Sequence, residues 1–125
     1  MIPFNPLAGG LLTGKYRQEE TPEKGRFSAE VGQFGATYQA RYWRQREFET
    51  IGRLRGIADE AGEPLMKLAV AWILANPAIT SVILGASRAQ QLTDTLAAAN
   101  DSLQDSLKGM LDDLTLENRR GDATR

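Results

Sequence analysis

Two short segments hold the residues best suited to chemistry. The first runs from Asn5 to Lys15 and contains Gly9, Gly10 and Gly14. Glycines let a backbone come close to a ligand, and exposed amides there can point at an anion. The spacing is not that of a Walker loop, because Lys15 is followed by Tyr16 and not by a serine or threonine. Nor is it the dinucleotide-fold fingerprint, since the interval from Gly10 to Gly14 is too long. The second segment is Gly85-Ala86-Ser87-Arg88-Ala89-Gln90-Gln91. Ser87 offers a hydroxyl and Arg88 a guanidinium, a suitable pair for a phosphate at a helix start. Each segment also has a plainer reading. The first serves as a turn-rich loop, and the second as a helix cap followed by a solvated arginine.

The elements that position them follow from the pattern. Ile2 to Phe4 is a short apolar run interrupted by Pro3, a weak strand signal. Arg17 to Gln33 is polar and irregular, and aromatics alternate with arginines from Tyr38 to Phe48. Phe48, Ile51, Leu54, Ile57 and Ala61 recur at helical steps, with Gly62 placed to end the helix. Leu65, Leu68, Ala69, Trp72 and Ile73 form a second stripe, entered at Pro64 and closed near Asn76-Pro77. Ser81 to Gly85 reads as a buried strand. Ser87 is placed to cap the next helix, with Gln90 in capping-box spacing and Leu92, Leu96 and Ala99 as its buried face. A last helix is expected over 101–114, then a polar tail over 117–125 that frays. Residues 17–47 form a long loop excursion.

Strands alternating with helices predict an α/β fold with a parallel sheet. Two strands make no stable sheet alone, so the pattern is that of a slice of a larger fold. In a (β/α)8 barrel, loops after the strands hold the active site, and those after strands seven and eight commonly hold a phosphate. Both segments sit at such places.

Composition narrows the chemistry. The 125 residues carry 15 basic and 16 acidic side chains, a net charge of -1. That balance gives no reason to expect a nucleic-acid partner, and no segment is apolar and long enough for a membrane one. A cytoplasmic location is the default expectation. There is no cysteine and no histidine. Thiolate chemistry is excluded, and so is the commonest general acid-base group near neutral pH. Trp72 and Trp43 are read as packing residues.

The residues from Pro3 to Tyr16 resemble the loop after the seventh strand of aldo-keto reductases. Leu68 to Leu74, then Val82 to Arg88 with Gln91-Leu92, resemble that family's route past the eighth strand. The resemblance runs from Ile2 to about Leu114. Gly25-Arg26-Phe27 and Arg41-Tyr42-Trp43 look most like its aflatoxin aldehyde reductase branch. It implies the C-terminal portion of a (β/α)8 TIM barrel, over residues 1–125. It further implies an NADPH-dependent enzyme reducing a small-molecule carbonyl substrate. On the family pattern, Asn5, Leu7, Gly9 and Lys15 hold the pyrophosphate, and Gly85, Ser87, Arg88, Gln91 and Thr95 hold the adenosine end. Thr95 stands where the family usually has asparagine. Arg26 is expected to reach the cofactor as its loop folds over.

The family's reaction needs an aspartate, a tyrosine, a lysine and a histidine from the first half of the barrel; none of the motifs that carry them is in this chain, which has no histidine at all. Tyr16, Tyr38 and Tyr42 match packing and loop positions instead. Three readings stand: a part of a reductase, a non-catalytic module binding cofactor or protein, and a non-functional remnant. Self-association through exposed strand edges is expected of the isolated chain.

Overall fold

The computed structural model describes residues 1–118; residues 119–125, the end of the expected frayed tail, lie outside the described residues. Among the described residues five α-helices follow a looped N-terminal quarter: α1 (Gln33–Tyr42), α2 (Gln45–Ala61), α3 (Leu65–Leu74), α4 (Thr93–Ala97) and α5 (Asp105–Leu114). Short 3-10 turns occupy Ala8–Thr13, Ala29–Val31 and Ala89–Leu92.

Helix α2 forms where the apolar stripe predicts. Ile51, Leu54 and Ala58 are buried, while Phe48 and Ile57 pack at the edge of the same core. Ala61 is exposed, so Ala58 takes its expected place on the stripe. Gly62 ends the helix in the left-handed region (φ 66), and its N–H bonds back to Ala58 and Asp59. A glycine is needed there because other residues meet their own β-carbon in that conformation. Pro64 then caps α3, its carbonyl accepting the Leu68 N–H at 3.1 Å.

Helix α3 is apolar except at Lys67 and packs against a core cluster on each of two sides, as so apolar a helix requires. Leu65 and Leu68 join Leu11, Phe27, Ile51, Leu54, Ala58 and Leu111 in one core cluster. Val70 and Ala71 face a second cluster with Ala98, edged by Leu7, Val82 and Leu84. Each large side chain so buried contributes about 1.5–3 kcal/mol.

The expected α/β architecture is not what forms. Among the described residues there is no strand, only one parallel bridge between Phe4 and Ile83. The Ile83 N–H bonds to the Pro3 carbonyl at 2.9 Å, and Thr80 N–H to the Met1 carbonyl at 3.0 Å. Pro3 has no N–H to return, and a ladder needs donors from both sides. The run from Ser81 to Gly85 is also less buried than its composition suggests, with Ile83 56% exposed beside a Phe4 that is 75% exposed. The chain is therefore a helical assembly, and the barrel portion read from the sequence is corrected to this.

Three further boundaries move. The excursion over 17–47 contains α1, and the last helix starts at Asp105, not Asp101. The helix after Gly85 is capped differently: its turn starts after Arg88, with Gln91 rather than Gln90 folding back on it. Ser87 and Gln90 are not a capping box. No helix among the described residues is long and apolar enough to cross a membrane.

Candidate functional site

The first segment is a loop wound tightly on itself. Asn5 (φ 57), Ala8 (φ 49), Gly9 (φ 73) and Gly10 (φ 99) all have left-handed backbone. Asparagine tolerates this region because its short side chain bonds locally. Here the Asn5 Oδ1 accepts the Gly9 N–H at 2.8 Å. Ala8 has no such aid and holds the conformation at a cost of about 1–2 kcal/mol. The amides of Gly10 and Leu12 bond to the Leu7 carbonyl, and that of Gly14 to Leu11. These donors are engaged within the loop. What the loop presents instead is side chains.

An aromatic cluster holds the excursion onto this loop. Phe27 is fully buried, its ring centroid 5.1 Å from Tyr16, 5.2 Å from Trp43 and 5.9 Å from Tyr38. Trp43 continues the chain of rings to Phe48 at 4.9 Å, and its Nε1 donates to the Gln18 carbonyl. Tyr38 lies directly on Gly9, where a β-carbon would come within 2.7 Å of the ring. Aromatic contacts of this kind add about 0.5–1.5 kcal/mol each beyond burial.

Arg26, next to the buried Phe27, is carried over the loop by this cluster. Its Nη1 donates to the Tyr38 hydroxyl at 3.2 Å and reaches Asn5 Oδ1 at 3.5 Å. Its guanidinium carbon lies 5.8 Å from the Tyr38 ring centroid. Nη2 stands 3.4 Å from where a β-carbon on Gly85 would be. One side chain thus spans both segments singled out from sequence. Lys15 adds a second exposed cation, its ammonium 4.9 Å from the Tyr16 ring centroid.

The second segment has its own donor set. The Ser87 N–H (2.9 Å), the Ser87 hydroxyl (3.2 Å) and the Arg88 N–H (3.3 Å) all converge on Gln91 Oε1. Three donors aimed at one oxygen mark a position suited to an acceptor such as a phosphate oxygen. Gly85, Ser87, Arg88 and Gln91 are all exposed. Thr95 is apart from them: it is buried and its hydroxyl donates to the Leu92 carbonyl at 3.1 Å. Leu7 is half-buried against the second core cluster, so its side chain is structural.

Of the expected residues, Asn5, Gly9, Arg26 and Gly85 are brought together. Tyr38 joins them and was read from sequence only as packing; no periodicity marks it, since its partner Gly9 lies on a loop. The loop also lends Ala8, Leu11 and Leu12 to a separate apolar cleft, which none of the expected cofactor residues lines.

Known proteins extend the picture. The aldo/keto reductase family matches residues 1–115. A probable voltage-gated potassium channel subunit beta from Arabidopsis thaliana is 37% identical over 100 residues, covering 80% of this chain and 30% of the relative. L-glyceraldehyde 3-phosphate reductase from Escherichia coli (strain K12) is 35% identical over 101 residues, 80% of this chain and 28% of its own length. Aflatoxin B1 aldehyde reductase member 2 from Rattus norvegicus is 34% identical over 110 residues, 78% of this chain and 29% of the relative. The chain spans about three tenths of the length of the curated relatives it matches. With a match over residues 1–115, the chain belongs to the aldo/keto reductase family.

Proposed function

We propose that this chain supplies the cofactor-holding part of an NADPH-dependent oxidoreductase that reduces aldehydes or ketones to alcohols. The observation that carries this reading is Arg26, bonded to Tyr38 and Asn5 on one side and set against Gly85 on the other. A guanidinium shared by two loops is suited to a diphosphate lying between them. Relatives named for reducing an aflatoxin B1 aldehyde and L-glyceraldehyde 3-phosphate support an aldehyde as the substrate class.

The residues fit the group. In this reading, the Ser87 and Arg88 donors take a phosphate oxygen in place of Gln91 Oε1, and Arg88 pairs with the adenosine 2'-phosphate. Asn5 and Gly9 shape the loop, and Lys15 and Arg26 neutralise the pyrophosphate. Thr95 and Leu7 hold the two segments from within. The bound nicotinamide supplies the hydride for the reduction.

The chain by itself binds and does not turn over in this reading. It has no histidine, and the aspartate, tyrosine and lysine motifs of the family are not in it. That absence favours the non-catalytic binding module as the description of the isolated chain. The exposed Ile2, Phe4 and Ile83 are the surface through which such a chain self-associates.

Titrating NADPH into the full chain, followed by nucleotide fluorescence, tests the reading. Saturable binding is expected, weaker by about tenfold in Arg88→Ala, as loss of a charged hydrogen bond implies. NADH, lacking the 2'-phosphate, is expected to bind less well. A folded chain with no binding at high micromolar NADPH would overturn the proposal. Reduction of an aromatic aldehyde well above background would overturn its non-catalytic part.

A further inference from the structure

Arg26 carries a positive charge that no carboxylate answers. Among the described residues its guanidinium is in no ion pair. Two neutral oxygens hold it: Nη1 donates to the Tyr38 hydroxyl at 3.2 Å and reaches Asn5 Oδ1 at 3.5 Å. We propose that Tyr38 is a further binding residue of this site. Its hydroxyl steadies the guanidinium and donates its own proton to an oxygen of the diphosphate that Arg26 pairs with. The proposal rests on the cofactor reading of the two loops and adds to it a residue and a hydrogen bond.

The position of that hydroxyl is set by its ring. Tyr38 belongs to α1, and its ring lies so close on Gly9 that a β-carbon there would come within 2.7 Å of Cδ1 and 2.8 Å of Cε1. The ring also meets the buried Phe27 edge-on, with centroids 5.9 Å apart and planes at 89°. Tyr42 stands 5.9 Å away on the same helix. A phenol oxygen lies on the ring axis, so neighbours that fix the ring fix the oxygen before any ligand arrives. Such preorganisation is what a binding group needs.

The valences decide what the hydroxyl does. A phenol both accepts and donates. The Tyr38 oxygen accepts from Arg26, and among the described residues its own proton has no acceptor. A hydroxyl that accepts from a cation is polarised and becomes a stronger donor. Both bonds of Arg26 run from Nη1, so Nη2 and Nε keep their donors for a ligand. An oxyanion beside this pair meets a charge and a directed O–H together, as phosphate oxygens require. A neutral carbonyl would leave the Arg26 charge unmet. Asn5 is not equipped for the same part: its Oδ1 accepts the Gly9 N–H at 2.8 Å, and its Nδ2 donates to the Tyr42 hydroxyl at 3.4 Å.

The test is Tyr38→Phe in the full chain, which keeps the ring on Gly9 and beside Phe27 and removes only the oxygen. NADPH is expected to bind about tenfold more weakly, the weight of a hydrogen bond to a charged group, with the melting temperature unchanged. In the unaltered chain the Tyr38 Cζ resonance is expected to shift on saturation with NADPH, a change that a packing role would not produce. The loss should be smaller when Arg26→Gln is already present, and undiminished in an Arg88→Ala background, since only Arg26 acts with Tyr38. Equal NADPH affinity in Tyr38→Phe would overturn the proposal and leave the cofactor reading standing. So would a Cζ resonance that does not move, or weaker binding that comes with a lowered melting temperature, which would make Tyr38 a packing residue. A folded, unaltered chain that binds no NADPH would overturn the cofactor reading and this proposal with it.

Discussion

Arg26 lies against Gly85, its Nη2 3.4 Å from the place a β-carbon on that glycine would occupy. The backbone of Gly85 is not left-handed, so the glycine matters for space rather than for conformation. A single methyl at 3.4 Å is ordinary contact, whereas a branched side chain displaces the guanidinium. Gly85→Ala is therefore expected to bind NADPH like the unaltered chain, and Gly85→Val about tenfold more weakly. Thermal stability should move little in either, within about 0.5 kcal/mol for so exposed a position. A fluorescence titration with parallel melts separates the two effects. Unchanged binding in Gly85→Val would show that the Arg26 contact has no part in the site.

Phe27 is the hub that carries Arg26. Its ring meets Tyr16, Tyr38 and Trp43, and none of it reaches solvent. Phe27→Ala removes the shared partner of three rings and is expected to cost about 3–5 kcal/mol. Urea unfolding followed by tryptophan emission measures this, because Trp43 lies in the cluster. A loss under 1 kcal/mol, on that same scale, would mean that the cluster does not anchor the excursion.

What the sequence made legible was local. Ile51, Leu54 and Gly62 announce α2, and Pro64 announces α3, because periodicity and capping are properties of neighbouring residues. Gly9, Gly10 and Gly14 announce a turn-rich loop for the same reason, and in the structure all three have positive φ. The strand through Ile83 was misread because its β-branched character reports fitness for a sheet, and a sheet also needs partners. Among the described residues only Phe4 pairs with it. The contact of Arg26 with Gly85 joins residues far apart in the chain and leaves no periodic trace. The cleft was equally hidden, since Leu54, Leu65 and Leu111 have the spacing of core residues whether or not the space between them is filled.

Two helical glycines should respond oppositely to alanine. In α1, a β-carbon on Gly35 would come within 2.2 Å of the Ser28 carbonyl oxygen, which is backbone and cannot swing aside. In α2, a β-carbon on Gly56 would meet nothing within 4 Å. Alanine in a helix is favoured over glycine by about 1 kcal/mol. Gly56→Ala should gain roughly that amount. Gly35→Ala should lose about 1–3 kcal/mol, as crowding of a packed site does, despite the same propensity. Urea midpoints for the two variants check the signs, and a stabilised Gly35→Ala would mean that α1 does not sit against Ser28.

Lys67 gives a pH signature. Its ammonium lies 2.6 Å from Asp101 and 2.9 Å from Glu63. The hydrogen bond to Asp101, and then that to Glu63, hold its pKa above the usual 10.5. A pKa raised on folding means that the folded state favours the protonated amine. Its contribution is then fully present below the unfolded value and is lost as pH rises through the folded one. Lys67→Met should melt below the unaltered chain by a constant margin through neutral pH, and that margin should shrink above about pH 10.5. The pair is solvated, so added salt should narrow the margin as well. Melts of both chains across neutral and alkaline pH measure this directly. A margin that widened with rising pH would mean that Lys67 does not tie the first turn of α3 to the segment leading into α5.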